Sequence, residues 1–354
     1  MNDTKHTDSK IISSQSADSK IISSQSAASQ IISSQTTNSQ TTNSASTVSL
    51  EKPTLSDWGS AYDYQRRDEE IVDYHIWKLW TPQAGFALRG PRPTSIKHKD
   101  FCTSVGAAFT FGRFTQRPYP DLLGAALHTS SLNLGFAGIG PAFFNYPKNS
   151  VLIDIINRSK FVTISVFSGR SQSNSRFQSE EYSQVRYRLS DGRVVPADVA
   201  YQQLLDESDE TTIRALVAET RERYLAEFVQ FLEKITVPKV LLWFSKRSPD
   251  YTESYDSLLN LFGSFPHLVN QPMVDELRSH CDAYVECVST VGLPQQLISR
   301  HTKQPTSISR PRTYKNGRVD FVPSQLEKNG YYPSPEMHYA VTQKLIPVCQ
   351  QFLL

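Results

Sequence analysis

The sequence predicts an α/β protein: a three-layer sandwich with a five-stranded parallel sheet between helices, preceded by a disordered tail. Three observations point there. From Phe101 onward, short apolar and β-branched runs alternate with segments of helical period. Runs such as "FVTISVF" and "VPKVLLWFS" are apolar throughout rather than at every second residue, the pattern of strands covered on both faces. Residues 1–50, by contrast, repeat "KIISSQSADS", "KIISSQSAAS" and "QIISSQTTNS" with a period of ten, and two Ile per repeat bury too little apolar surface to offset the entropy of ordering the rest.

Composition narrows the function classes. The chain has 354 residues and a net charge of +2, so no acidic or basic excess argues for nucleic acid or a membrane surface. Cys102, Cys281, Cys287 and Cys349 lack metal-type spacing and read as reduced structural thiols. No apolar run approaches the roughly 18–20 residues of a spanning helix, and the polar N-terminus has no signal-peptide core; the expectation is a cytoplasmic protein without a membrane span. There is no Walker A loop, no HExxH, no zinc quartet and no EF-hand pattern. "GFAGIG" has G-x-x-G-x-G spacing and no acidic residue at the end of the next strand, against a dinucleotide. No cofactor or metal is expected, and no pattern specifies an oligomeric state.

Residues 51–354 read as a single domain, with 51–98 an aromatic lead-in packed on its core. Within the lead-in, Asp68, Glu69 and Glu70 read as a solvated charge run, and "LRGPRP" as a turn. The alternation then runs in order. "FCTSVGA" is a strand, "PYPDLLGAALHTS" a helix opened by Pro118 and Pro120, "LNLGFA" a strand, "NSVLIDIINRS" a helix and "FVTISVF" a strand. "LSDGRVV" suggests a hairpin. Residues 209–234 place Ile213, Leu216, Val217, Tyr224, Leu225, Phe228, Phe231 and Leu232 on one helical face. "VPKVLLWFS" is the fourth strand, "QPMVDELRSHCD" a helix, "AYVECVST" the fifth strand, and a last helix starts at Ser334 and Pro335. The stretch "SRHTKQPTSISRPRTYKNGR" reads as a flexible exposed loop. In parallel sheets ligands sit beyond the carboxyl ends of the strands, which nominates the loops after the first, second, third and fifth.

Those loops read "SVGAAFTFG", "NLGFAGIGP", "FSGRSQSNSRF" and, before the last helix, "NGYYPSPEMH". Their order is similar to that of the signature blocks of SGNH/GDSL hydrolases. That resemblance implies a flavodoxin-like sandwich and acyl-ester chemistry, often on glycans. "AYDYQ", "RGP", "TFGRF", "NLG.AG" and "SGRSQSN" resemble the bacterial DUF6473 family over most of residues 55–354.

Laid over the hydrolase blocks, Gly106 matches, but Ala107 and Ala108 occupy the Asp and nucleophilic Ser positions, and a methyl group cannot attack a carbonyl. Gly138, or alternatively Gly135, stands where the oxyanion-hole glycine would be. Gly169 matches the third block, with Ser171 in place of Asn and Asn174 three residues on. Asn329 and Tyr332 replace the final Asp and His. His338, one turn into the last helix, could be a replacement base or could pack. Ser104 and Thr110 could offer hydroxyls, or serve the backbone. Arg113, Arg170 and Arg176, with Ser171 and Asn174, have the donors for an anionic group, or belong to a solvated loop. The expected function is non-hydrolytic binding of an anionic or glycan-derived small molecule at the strand ends. The alternatives are a divergent acyl- or sulfo-transferase or esterase of surface-polysaccharide metabolism, using His338, and a protein-interaction module.

Overall fold

The computed structural model describes residues 59–81, 85–179, 185–188, 192, 194–313, 319–323 and 326–353. The repeat tail and the start of the lead-in lie outside the described residues. The lead-in supplies helix α1 (Gly59–Asp68) and an antiparallel hairpin of Trp77–Trp80 with Gly85–Leu88.

Five parallel strands form the central sheet: β1 (Phe101–Gly106), β2 (Ser130–Gly135), β3 (Val162–Ser165), β4 (Lys239–Ser245) and β5 (Ala283–Val288). Their spatial order is β2-β1-β3-β4-β5, so the chain reverses its direction of sheet growth between β1 and β3. This is the flavodoxin-like order, in which the crevice at the reversal is the default ligand position. Register fixes the strand ends against one another. Ser104 pairs with Asn133 and Thr163, Ser165 with Leu242, and Val288 with Ser245. Every residue of β1 and β3 is buried, as strands covered on both faces require.

Several helices start at prolines or capping side chains. α2 (Ala108–Phe111) is one turn; α3 (Tyr119–Ala126) follows Pro118, with Pro120 in its first turn. α4 spans Ser150–Ile156 and α5 Ala197–Glu207. In α6 (Glu210–Glu233) the Asp209 carboxylate accepts the Thr212 N–H, and Ile213, Leu216, Val217, Tyr224, Phe228, Phe231 and Leu232 are buried. α7 (Leu258–Phe262) and α8 (Gln271–Ser279) follow β4. α9 (Pro335–Cys349) is capped by Ser334 Oγ, which accepts the Met337 N–H at 3.1 Å.

Two glycines set how closely α2 sits on the sheet. A Cβ on Gly106 would lie 2.1 Å from Thr110 Oγ1, and one on Gly135 would lie 2.2 Å from the Phe111 backbone N. Asn133 completes the seat: its Nδ2 donates to Thr110 O and its Oδ1 accepts the Gly135 N–H. Close packing of α2 on the sheet thus accounts for the glycine in "SVGAAFTFG".

Two expectations are corrected. Asp68 is not part of a solvated run: it is fully buried and accepts from Arg113 through both carboxylate oxygens, at 2.7 and 2.9 Å, and from Tyr74 Oη at 2.8 Å. A buried carboxylate needs such partners, and Arg113 supplies them from the far end of α2. The stretch expected to be a flexible loop is also ordered in part. Arg300 Nε donates to Glu69 O, Ser299 Oγ bonds Glu70, and Ser309–Thr313 pairs antiparallel with Val319–Pro323.

Candidate functional site at the strand ends

At the carboxyl end of β3 the chain continues through buried Val166 and Phe167 to Ser168, then makes a one-turn 3₁₀ helix over Gly169–Ser171. At the end of β4, Ser245 Oγ donates to Phe265 O at 2.6 Å, and Lys246 and Arg247 follow. The segment Ser264–Val269 crosses between these two ends. Arg247 clamps it, donating to the carbonyls of Ser264 (2.8 Å), Pro266 (2.6 Å) and Val269 (2.7 Å), while Arg221 Nε reaches Leu268 O at 2.9 Å. Leu268 has φ +64°, a left-handed conformation that a branched side chain adopts only when its surroundings enforce it.

The clamp brings His267 onto the 3₁₀ turn. His267 O accepts the Gly169 N–H at 2.9 Å, and His267 Nδ1 lies 2.9 Å from Ser168 Oγ. Ser168 retains 8% exposure and His267 6%. The ring stacks on Tyr331 at 6.3 Å and 16°, and meets the edge of Phe265. Phe109 of α2 packs on Phe265 at 4.1 Å and also touches Tyr331 and Tyr332. Aromatic rings thus pack together beyond the end of β1 and wall the Ser168–His267 pair on one side.

The surroundings are cationic. Burial pushes the His267 imidazole well below its usual range, and the charges of Arg170, Arg247 and Lys246 push it further the same way. His267 is therefore neutral at pH 7. Lys246 Nζ donates to Gly330 O at 2.8 Å and lies over the Tyr331 ring on which His267 stacks. Arg170 is buried beside Ser168 and Gly169. A hydroxyl, a neutral imidazole and cationic side chains in one place suit an anionic ligand or an anion-bearing substrate.

The structure distributes the other nominated residues. Gly106 ends β1 at the reversal, where an added Cβ would also meet Ser165 Cβ at 3.0 Å. Gly138 is half-buried after β2 with φ +74°. Arg113 is committed to Asp68 and to Tyr332 Oη, fully buried, a tie between α1, α2 and the segment before α9. Asn174 is spent on local structure: Oδ1 accepts the N–H groups of Arg176 and Phe177, and Nδ2 donates to Thr220 and Tyr201. Arg176 pairs with Glu207 at 3.2 Å and Ser208 Oγ at 3.0 Å, at the end of α5. Ser171 closes the 3₁₀ turn.

His338 lies elsewhere. It is fully buried between α3 and α9; its Nδ1 accepts the Tyr119 backbone N–H at 3.1 Å, and its ring stacks on Tyr119 and meets Phe244 edge-on. Burial, helped by the charge of Arg89, lowers its pKa to about 3. With its basic nitrogen occupied, this ring cannot accept a substrate proton, and its described contacts include neither Arg170 nor Gly138. Ser104 and Thr110 are likewise internal, bonded to Thr163 Oγ1 and Tyr119 Oη.

Sequence reasoning missed Ser168 and His267. Ser168 stood one residue before the matched Gly169, and His267 sat in "SFPHLVN" after the fourth strand, the one strand end left out of the nomination. Among the described residues no group of three or more His, Cys, Asp or Glu could hold a metal ion. No described helix is long and apolar enough to cross a membrane.

Comparison with solved structures finds distant likenesses only. A Lactobacillus plantarum protein solved by a structural genomics consortium is 14% identical with a TM-score of 0.37, covering 73% of this chain and 99% of its own. A gut microbial diltiazem-metabolizing enzyme is 10% identical with a TM-score of 0.37, covering 71% and 47%. A family two carbohydrate esterase from Clostridium thermocellum, in complex with cellohexaose, is 11% identical with a TM-score of 0.30, covering 76% and 68%. Likenesses this remote say nothing of what this chain does. No curated protein matches it. Its residues 63–186 and 201–353 match the family described as Domain of unknown function (DUF6473), more than half its length, and the chain belongs to that family.

Proposed function

We propose that the protein binds an anionic small molecule at the carboxyl ends of β3 and β4, and that the ligand is glycan-derived, as the block order of its loops implies. The observation behind this reading is the position of Arg170 and Lys246 around the Ser168–His267 pair, beside the crevice where the strand order reverses. Cations that suppress the protonation of His267 are a field that an anion relieves. A glycan carrying carboxylate or sulfate offers both the charge and the hydroxyls that Ser168 and the Ser/Asn-rich loop can bond. Gly106, Gly138, Gly169 and Ser171 line or shape the loops around this position. A cytoplasmic setting and a single domain over residues 51–354 are part of the same reading.

The test is thermal stabilisation of the full chain by sulfate, phosphate, uronic acids and sulfated glycans. A ligand at 100 times its Kd adds about 2.7 kcal/mol. Stabilisation that disappears in both Arg170→Ala and Lys246→Met supports the reading. An unchanged melting temperature across the panel overturns it and favours the protein-interaction module, in which the repeat tail acts as tether.

A further inference from the structure

We propose that Ser168 and His267 are a nucleophile and base that transfer a small acyl group from esters bearing a negative charge. This deepens the anion-site reading and rests on it. The pair is a direct contact, Oγ to Nδ1 at 2.9 Å, within the distance at which a base takes a hydroxyl proton. The imidazole is held from three sides: by the Tyr331 stack, by the Phe265 edge, and through its own carbonyl by the Gly169 N–H. His267 Nε2 has no hydrogen-bond partner among the described residues. These contacts fix the imidazole against Ser168, the mutual orientation that a nucleophile and base need.

The chemistry balances without a further reagent. As Ser168 Oγ bonds to the ester carbonyl carbon, its proton moves to His267 Nδ1. The carbon–oxygen bond to the leaving alcohol breaks, and that proton passes to the departing oxygen. An acceptor hydroxyl or water then attacks the acyl-serine, gives its proton to Nδ1, and Ser168 takes the proton back. Nothing is oxidised or reduced.

The cations decide the substrate. Arg247 bonds the carbonyls of Pro266 and Val269 on either side of His267, and Lys246 lies over the Tyr331 ring on which it stacks; burial and these cations, with Arg170, make the imidazole a weak base. An ester whose remaining part carries a sulfonate, sulfate or carboxylate cancels part of that field and makes protonation of the ring easier in the step that needs it. A neutral ester does not. Ser168 and His267 keep only 8% and 6% exposure, so a small acetyl group is the acyl group proposed rather than a long chain.

The experiment incubates the full chain with 4-acetoxybenzenesulfonate and, separately, with the neutral 4-acetoxybenzenesulfonamide, and follows phenol release and acetylation mapped by mass spectrometry. Expected are an acetyl group on Ser168, release at least about 10-fold faster from the sulfonate, loss of both in Ser168→Ala, and a fall of about 100-fold in His267→Gln. Mapping in the wild-type chain keeps the test open if a variant does not fold. Acetyl on lysines or tyrosines but not on Ser168, with release unchanged in Ser168→Ala, overturns the proposal. Equal rates with the two esters overturn its charge selectivity. Unreactive benzenesulfonate separates the two readings: stabilisation by it without acyl transfer leaves the binding site standing and removes the catalysis, and absence of both removes both.

Discussion

Ser168 Oγ and His267 Nδ1 meet at 2.9 Å although 99 positions separate them, because the Arg247 guanidinium draws the segment between α7 and α8 over the ends of β3 and β4. Arg247 is thus a positioning residue. Its loss leaves the carbonyls of Ser264, Pro266 and Val269 without their donor, at about 1–3 kcal/mol for each one that stays buried.

Arg247→Met is accordingly expected to lower stability by about 3 kcal/mol in urea unfolding and to abolish any anion-induced stabilisation at the same time. Retention of the anion response in a destabilised Arg247→Met protein would show that the segment keeps its place without the clamp.

The Asp68–Arg113 pair is a fully buried ion pair with bidentate geometry, completed by the hydroxyls of Tyr74 and Tyr332. Asp68→Asn leaves a buried guanidinium short of its charge partner and is expected to cost about 3–5 kcal/mol. The double variant Asp68→Leu with Arg113→Met is expected to recover much of that loss, because no unpaired charge remains. Additive losses in the double variant would rule out the pair as the source.

Both buried histidines set a pH dependence of one sign. His338 and His267 are neutral in the folded chain, with pKa values lowered by burial, while in the unfolded chain they titrate near 6.5. Below about pH 6.5 the unfolded state takes up protons that the folded state refuses. Stability therefore falls with acidification, by about 1.4 kcal/mol per pH unit for each histidine, and for His338 this continues to about pH 3. Urea unfolding between pH 7 and 4.5 measures the slope, and His338→Leu should reduce it by one proton. An unchanged slope would mean that His338 is already charged in the folded state.

Gly135→Ala places a methyl group 2.2 Å from the Phe111 backbone N, whereas a Cβ on Gly140 meets nothing within 4 Å. Gly135→Ala is expected to displace α2 and cost several kcal/mol, about the 1–3 kcal/mol typical of overpacking or more. Gly140→Ala, at φ −118°, is expected to be within about 0.5 kcal/mol of the parent.

Ala108→Ser restores a hydroxyl at the nucleophile position suggested by the hydrolase-like loop. It is expected to add no esterase turnover on 4-nitrophenyl acetate, because His338 already holds the Tyr119 N–H and no other imidazole is bonded into that loop among the described residues. A gain above the parent would show that a base is within reach after all.

Much of the architecture was legible in local pattern. The five strands and the helix starts at Asp209 and Ser334 follow from apolar runs and hydrogen-bonding residues at fixed offsets, while the flavodoxin-like architecture was only what the resemblance to the hydrolase blocks implied. What was not legible depends on long-range pairing. Asp68 looks like its neighbours Glu69 and Glu70, and only Arg113, 45 positions on, distinguishes it. His338 drew attention because it lies near a cap, yet a ring one turn into a helix faces the core or the solvent according to packing that no short window reveals. Ser168 lay in a nominated loop but beside the residues that drew attention, His267 lay after the strand end left out, and their meaning is in the contact rather than in either residue.

The way Tyr119 holds His338 has one more consequence. Because Nδ1 accepts a backbone N–H, the ring proton must sit on Nε2, which has no hydrogen-bond partner among the described residues and is shielded from solvent. That proton can exchange with deuterium only when α3 and α9 part. Its resonance is a spectroscopic clock for the breathing of this helical layer, separate from global unfolding.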